Sequence, residues 1–184
     1  MKTLDTKSGG PPVTWILLAG APGTGKSTLA RRLSAALGPS AILDKDRVRE
    51  ALFPGTMTDY SAEQDALCMK AILEAATYLS QHHRARYIFL DGRTFSRTTH
   101  IDEVLSAASR AGAQWRILHL TCSDGVAEAR LQAPNTDHPA RNRDMALYRR
   151  VKASFEPIHH PKLDLDTSTG IEDLLPRALA YIPS

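Results

Sequence analysis

A glycine-rich run follows the first apolar, strand-like stretch of this chain, residues 13–18. It reads GAPGTGKS over residues 20–27 and meets the pattern G-x-x-x-x-G-K-[ST] at every fixed position. In such a loop the backbone N–H groups point into one concavity, and the following helix adds partial positive charge at its N-terminus. Thr28 stands where a G-x-G-x-x-G dinucleotide loop would have its third glycine. We therefore predict a phosphate-binding loop that holds a nucleoside triphosphate.

Apolar runs of strand length alternate with helical stretches along the rest of the chain. The five strand-like runs cover residues 13–18, 41–43, 87–90, 115–121 and 163–165. Alternation of this kind is typical of parallel strands joined by helical crossovers. We predict an α/β chain with a three-layer P-loop NTPase and kinase fold: a five-stranded parallel sheet with helices on both faces and a lid.

Length and composition favour one domain. With 184 residues and 42% hydrophobic content, the chain can bury a single proper core. Residues 1–12 are polar and end in Gly-Gly-Pro-Pro, so we expect a flexible lead-in there and one domain over residues 13–184. Residues 132–143, rich in Pro, Asn, Asp and Arg, are expected to form the lid.

Capping patterns predict where three of the later helices begin. Ser61-Ala62-Glu63-Gln64 is a capping-box signature for a long helix that ends near residue 81. Ser123 is expected to cap a helix that ends near residue 131. The run Thr169-Gly170-Ile171-Glu172 is expected to cap the last helix, which ends near Tyr181.

Composition also bears on location and partners. The N-terminus lacks the apolar core of a signal peptide and no apolar run approaches membrane-spanning length, so we expect no membrane association. The two cysteines, Cys68 and Cys122, lack metal-type spacing and are interpreted as reduced thiols of a cytoplasmic protein. A formal charge of +3 and a pI near 9.0 fit an anionic ligand and also permit weak contact with nucleic acid.

The loop residues are the candidate nucleotide-binding groups. Phosphoryl transfer requires charge neutralisation, a metal and a group that orients the attacking oxygen. Lys26 is expected to bridge the β- and γ-phosphates of ATP, and the Ser27 hydroxyl is expected to ligate Mg²⁺. The predicted nucleotide contacts from the loop are Gly20, Pro22, Gly23, Thr24, Gly25, Lys26, Ser27 and Thr28.

A charged stretch, LDKDRVRE over residues 43–50, follows the second strand where a helix begins. Asp46 and Arg49 are three residues apart and share one helical face, so a carboxylate base and a guanidinium that binds an anionic acceptor would share a pocket. We predict these two roles for them. The alternative is that the acidic residues only favour the helix dipole.

Asp91 ends the third strand, and ligands of open parallel sheets bind outside the carboxyl ends of the strands. Its carboxylate is expected to hold Mg²⁺ or the acceptor hydroxyl, as a Walker B acidic residue does; the alternative is a plain Asp-Gly turn. Arg93 and Arg97, four residues apart, are candidates for binding an acceptor phosphate or sulfate.

Arginines in and beside the predicted lid are candidates for stabilising transition-state charge. They are Arg130, Arg141 and Arg143, with a solvated surface position as the alternative for each. We assign Arg141 to catalysis and Arg130 to nucleotide binding.

Three parts of the chain together resemble a known group of enzymes. The loop, the stretch LDxDxVRxxL over residues 43–52, and the tail with FEP at 155–157 and PxLxLDT at 161–167 resemble the adenylylsulfate kinases and related P-loop kinases. Asp46, Arg49 and Asp91 also meet the pattern of polynucleotide 5′-hydroxyl kinases. That second resemblance implies a general base at Asp46 and acceptor-phosphate binding at Arg49. For the tail, the first resemblance implies that Asp166 and Thr167 lie near the nucleotide base.

Three hypotheses about function follow. The leading one is an ATP-dependent phosphotransferase that moves the γ-phosphate to a hydroxyl of a small metabolite, nucleotide or antibiotic, with an anionic acceptor expected. The second is a polynucleotide 5′-hydroxyl kinase, which would need a basic groove outside the pocket. The third is a nucleotide-dependent switch or regulatory binder, which would hydrolyse ATP slowly whatever hydroxyl compound is added.

Overall fold

The computed structural model describes residues 11–133 and 144–183 of the chain. Most of the predicted lead-in lies outside the described residues. The predicted lid overlaps them only at Gln132 and Ala133, so Arg141 and Arg143 also lie outside. These expectations stay predictions from sequence.

All strand pairs of the sheet are parallel, in the order β2-β3-β1-β4-β5. The strands are β1 (Thr14–Ala19), β2 (Ser40–Asp44), β3 (Tyr87–Asp91), β4 (Gln114–Thr121) and β5 (Leu163–Asp166). The helices are α1 (Lys26–Ala36), α2 (Lys45–Leu52), α3 (Ala62–Gln81), α4 (Thr98–Arg110), α5 (Asp124–Gln132), α6 (Met145–Ala153) and α7 (Leu175–Tyr181). Short 3-10 turns cover Gly55–Met57, Thr167–Thr169 and Glu172–Leu174. The predicted five-stranded parallel sheet is confirmed.

Helices cover both faces of the central strand. Every residue of β1 is buried, as expected of a parallel strand covered on both sides. Successive side chains of a strand point to opposite faces, so Trp15 and Leu17 pack into one apolar cluster and Ile16 and Leu18 into another. The first cluster includes residues of α3 and α4, and the second includes residues of α1 and α7. The three predicted layers are therefore present.

Local capping explains where two of the predicted helices begin. The Ser61 side chain accepts a hydrogen bond from Gln64 N, and the Ser123 side chain accepts one from Val126 N. The last helix differs from the prediction. Its α-helical part begins at Leu175, after two 3-10 turns, because Pro176 has no N–H to donate to the preceding turn.

The carboxyl ends of the strands bring polar residues to one edge of the sheet. Asp44 at the end of β2 is the register partner of Asp91 at the end of β3. The glycine-rich loop follows β1 at the same edge. Within the residues the structure describes, no helix is both long and apolar enough to cross a membrane.

Candidate active site

The glycine-rich loop has a backbone shape that depends on its glycines. Gly20 has a φ of +144°, and a Cβ atom there would lie 2.3 Å from the Leu120 carbonyl oxygen. Gly25 adopts the left-handed conformation directly before α1 begins at Lys26. The Thr24 hydroxyl donates to the Ala21 carbonyl at 2.9 Å, which closes the loop on itself. The loop therefore presents the N-terminus of α1 to the sheet edge, as the sequence predicts.

Two other predicted nucleotide-binding residues brace this loop. The buried Thr167 hydroxyl lies 2.9 Å from the Thr24 carbonyl oxygen. Arg130 donates through Nη1 to the Gly23 carbonyl at 3.3 Å and through Nη2 to the Thr167 carbonyl at 2.7 Å. The exposed Asp166 instead accepts hydrogen bonds from Ser168. Arg130 and Thr167 thus tie the loop to the end of β5.

A cavity of about 270 Å³ lies beside the loop and collects most of the predicted catalytic residues. Lys26 donates through Nζ to the carbonyls of Gly20 and Ala21, both at 2.8 Å. The cavity walls come from the loop, from α2 and the start of α3, from the segment after β3, and from α6. They are Pro22, Lys26, Ser27, Lys45, Asp46, Arg49, Tyr60, Asp65, Asp91, Gly92, Arg93, Thr94, His100, Leu147, Arg150 and Val151.

The wall from α2 carries a compact cluster of charges. Asp44 caps the helix by accepting from Asp46 N at 2.9 Å. Lys45 Nζ lies 2.9 Å from Asp65 Oδ1 and 3.5 Å from Asp46 Oδ1. Arg49 Nη1 lies 3.5 Å from the same oxygen of Asp46, and Arg49 also forms an ion pair with Asp65. Burial lowers the pKa of the Lys45 ammonium. The predicted shared face of Asp46 and Arg49 is present.

The carboxylate of Asp91 reaches the cavity from the end of β3, beside the start of α2. Asp91 is only 3% exposed, and its Oδ1 atom has no hydrogen-bond partner among the described residues. Burial and the nearby Asp91 raise the pKa of Asp44. No group of three or more His, Cys, Asp or Glu in the described ranges is placed to hold a metal ion. One buried carboxylate beside a phosphate loop nevertheless suits Mg²⁺, which takes few protein ligands and completes its shell with phosphate and water.

The two arginines after β3 have different positions. Arg93 lines the cavity, with Nη1 3.5 Å from Glu103 Oε2, and burial lowers the pKa of its guanidinium. His100 also lines the cavity, and its pKa is lowered by burial and then by Arg93 and Arg97. The exposed Arg97 directly precedes α4 and is not among the residues that line this cavity.

Sequence reasoning missed several residues of the cavity. Lys45 lies in the charged stretch over residues 43–50, but the first position of an α-helix gives no sign that its side chain will be buried. Tyr60, Asp65, His100 and Arg150 carry no local motif, because their place depends on how α2, α3, α4 and α6 pack. In the sequence, only the polar or charged character of these side chains indicates that they can bind a ligand.

A family model confirms what the loop and the fold suggest. The model described as an AAA domain matches residues 16–158, which is more than half of the chain. This chain belongs to that AAA domain family. The match makes it a P-loop kinase-type domain and bears out the predicted family, whereas the acceptor is left open.

Solved structures with this fold include kinases of small molecules. The APS kinase of Mycobacterium tuberculosis, in complex with AMPPNP and APS, is 17% identical with a TM-score of 0.70 over 95% of this chain and 100% of that one. A sugar kinase from Janibacter sp. HTCC2649 is 16% identical with a TM-score of 0.63 over 93% and 94%. A gluconokinase from Sinorhizobium meliloti 1021 is 19% identical with a TM-score of 0.58 over 92% and 90%. At these identities the likeness shows the fold alone. Comparison with curated protein sequences finds no significant match.

Proposed function

We propose that this AAA-family domain transfers the γ-phosphate of ATP to a hydroxyl group of a small, anionic molecule. The proposal rests on one observation: a single cavity is lined by Lys26, Asp46 and Asp91. These are a phosphate-binding cation, a candidate base and a candidate metal ligand, which are the parts that phosphoryl transfer requires. The kinases with the same fold support this class of reaction.

The proposed reaction places ATP on the glycine-rich loop and the acceptor over α2. Asp46 accepts the proton of the acceptor hydroxyl as that oxygen bonds to the γ-phosphorus. The bond from the γ-phosphorus to the β–γ bridging oxygen breaks, and ADP leaves with Lys26 beside its phosphates. Lys45 and Arg49 hold Asp46 between them, which fixes the direction of its carboxylate.

Ser27 and Asp91 are the residues that would hold Mg²⁺, since both line the cavity and Asp91 has a buried carboxylate oxygen without a hydrogen-bond partner among the described residues. When bound there, Mg²⁺ would neutralise charge on the transferred phosphate. The role assigned to Arg141 remains a prediction from sequence. Both cysteines are free thiols, which supports the proposed cytoplasmic location.

A polynucleotide 5′-hydroxyl kinase is the second candidate. The exposed residues Arg149 and Arg150 of α6 favour it, because Arg150 also lines the cavity and could lead a nucleic-acid backbone to it. Binding of an oligonucleotide that weakens steeply with salt would support this reading, and no binding at low salt would remove it.

The test of the proposed function is ADP release from Mg·ATP across a panel of hydroxyl compounds: adenylylsulfate, nucleosides, oligonucleotide 5′-ends, sugars and aminoglycosides. We expect one class of small anionic acceptor to stimulate release strongly and to become phosphorylated, as detected by mass spectrometry. Slow release that no acceptor stimulates would overturn the kinase proposal and favour the nucleotide switch.

A further inference from the structure

The charges of the α2 wall are already compensated within the protein. Arg49 is 4% exposed, and its two terminal nitrogens face the carboxylates of Asp46 and Asp65. The Tyr60 ring covers one face of its guanidinium, with the ring centroid 5.2 Å from Arg49 Cζ. Lys45 is likewise paired with both carboxylates. Nε and Nη2 of Arg49 have no hydrogen-bond partner among the described residues, but an anion bound to Arg49 would have to displace the two carboxylates or share the cation with them.

The segment after β3 carries a cation with less compensation. The Arg93 side chain is 10% exposed, and among the described residues its one ion pair is with Glu103, at 3.5 Å from a carboxylate that is itself half exposed. Neither Nε nor Nη1 of Arg93 has a hydrogen-bond partner among the described residues. The same holds for Nδ1 of His100, which lines the same cavity. Buried arginine donors without acceptors are costly, and an anion would satisfy them; the neutral tautomer of His100 with a proton on Nδ1 would add one donor.

We infer that Arg93, together with His100, binds an anionic group of the acceptor, whereas Arg49 is a positioning residue that holds the Asp46 carboxylate. This assignment differs from the role that the resemblance to polynucleotide kinases implies for Arg49. It predicts an acceptor with a phosphate, sulfate or carboxylate group in addition to its reactive hydroxyl. Arginine binds such oxyanions through charge-assisted N–H donors, and Nε and Nη1 of Arg93 have no hydrogen-bond partner among the described residues. That the anion belongs to a phosphate acceptor rests on the proposed function, whereas the presence of an anion site does not.

The site is tested by titrating the full-length, ¹⁵N-labelled protein with sulfate, phosphate or acetate while Mg·ADP saturates the glycine-rich loop. The readout is the Nε–Hε signal of Arg93 in NMR spectra, assigned by its loss in Arg93→Lys. We expect sulfate or phosphate to shift this signal saturably. In Arg93→Gln, which lacks the signal, the backbone amide signals of Gly92 and Thr94 report binding, and we expect it to be weaker by about tenfold or more. Arg110→Gln, an exposed arginine of α4, is the matched control and should leave binding unchanged. If none of the three anions binds the wild type, or if Arg93→Gln binds equally well, the proposal is overturned.

The role of Arg49 is tested in the same titration. A folded Arg49→Gln protein should bind the anion as the wild type does. Should that variant fail to fold, Asp65→Asn takes its place, because it frees Arg49 from one carboxylate. Unchanged binding by Asp65→Asn supports Arg93 as the site, and tighter binding would move the site to Arg49 and overturn the proposal.

Kinetics separate this inference from the proposed function. With paired acceptors such as a nucleoside and its 3′-phosphate, or glycerol and glycerol 3-phosphate, Arg93→Gln should raise KM for the anionic member and leave kcat nearly unchanged. Arg49→Gln should lower kcat with little change in KM, because it acts on the base. If no acceptor stimulates turnover while Arg93 still binds the anion, the proposed function is overturned and the anion site stands. If the wild type turns over acceptors but prefers neutral ones, the anion site is overturned and the proposed function stands.

Discussion

Asp44 and Asp91 lie side by side at the carboxyl ends of two neighbouring parallel strands, as register partners of β2 and β3. Burial and the Asp91 charge raise the pKa of Asp44. Asp44 caps α2, whereas Asp91 lines the cavity together with Ser27, so the Asp91 carboxylate is the one suited to a divalent ion that arrives with a nucleotide.

Asp91→Asn is expected to weaken the response to Mg²⁺. In the presence of ADP, added Mg²⁺ should raise the thermal midpoint of the wild type, since an ion that binds only the folded state stabilises it. We expect Asp91→Asn to reduce the apparent Mg²⁺ affinity by about tenfold or more, measured by thermal shift across a Mg²⁺ series. Asp173→Asn, an exposed carboxylate, is the control. Equal Mg²⁺ responses in all three proteins would exclude Asp91 as a ligand.

Gly92→Ala is expected to destabilise the protein and disturb the site. A Cβ atom there would lie 2.6 Å from Asp44 Oδ1 and 2.8 Å from Lys45 N, and φ is +80°. We expect a loss of about 2 kcal/mol or more in the free energy of unfolding, from strain and from the clash with the start of α2. Gly38→Ala is a matched control, because Gly38 has a φ of +72° but nothing within 4 Å of its added Cβ. If the two losses in a denaturant titration were the same, the clash would contribute nothing.

Lys26→Ala and Asp46→Asn are expected to lower turnover by about a hundredfold or more without unfolding the domain. The first removes the cation beside the phosphates, and the second removes the proposed base. The measurement is kcat for ADP release with the acceptor found in the panel, together with far-ultraviolet circular dichroism. Lys70→Ala, an exposed lysine of α3, should behave as the wild type. A nearly normal kcat for Asp46→Asn would contradict its assignment as the base.

A contact between α5 and α6 predicts a pH dependence of stability. Asp124 accepts a hydrogen bond from the Tyr148 hydroxyl at 2.7 Å and pairs with Lys152. The hydrogen bond from Lys152, followed by that from Tyr148, lowers the pKa of Asp124. A lowered folded-state pKa contributes stability above the ordinary pKa of an aspartate, and this contribution is lost as pH falls through the folded-state value.

The variant that tests this contact is Asp124→Asn. Its thermal midpoint should lie below that of the wild type at pH 7. The difference between the two midpoints should shrink as the pH falls below the ordinary pKa of an aspartate. Asp173→Asn, another exposed carboxylate, checks for general charge effects. A gap that persists unchanged in acid would show that the charge of Asp124 is not its cause.

Local patterns were sufficient for the architecture and for one wall of the site. The glycine-rich loop is recognisable because its backbone has positive φ at Gly20 and Gly25, a conformation that favours glycine. The caps at Ser61 and Ser123 are bonds within a single turn, so sequence spacing determines them. Asp91 was predictable because a strand covered on both faces reads as an apolar run, and the residue that ends it must emerge at the sheet edge.

The charge partners inside the cavity were decided only by the tertiary structure. Whether Arg49 faces solvent or Asp65 depends on how α2 packs against α3, and the two residues are far apart in sequence. Lys45 is also buried, which its place in the sequence did not predict. Coulombic and hydrogen-bond energies depend on distance and burial rather than on residue order. The sequence by itself therefore determined the fold and the phosphate loop, and the tertiary structure decided which cations of the cavity are neutralised and which can meet a ligand.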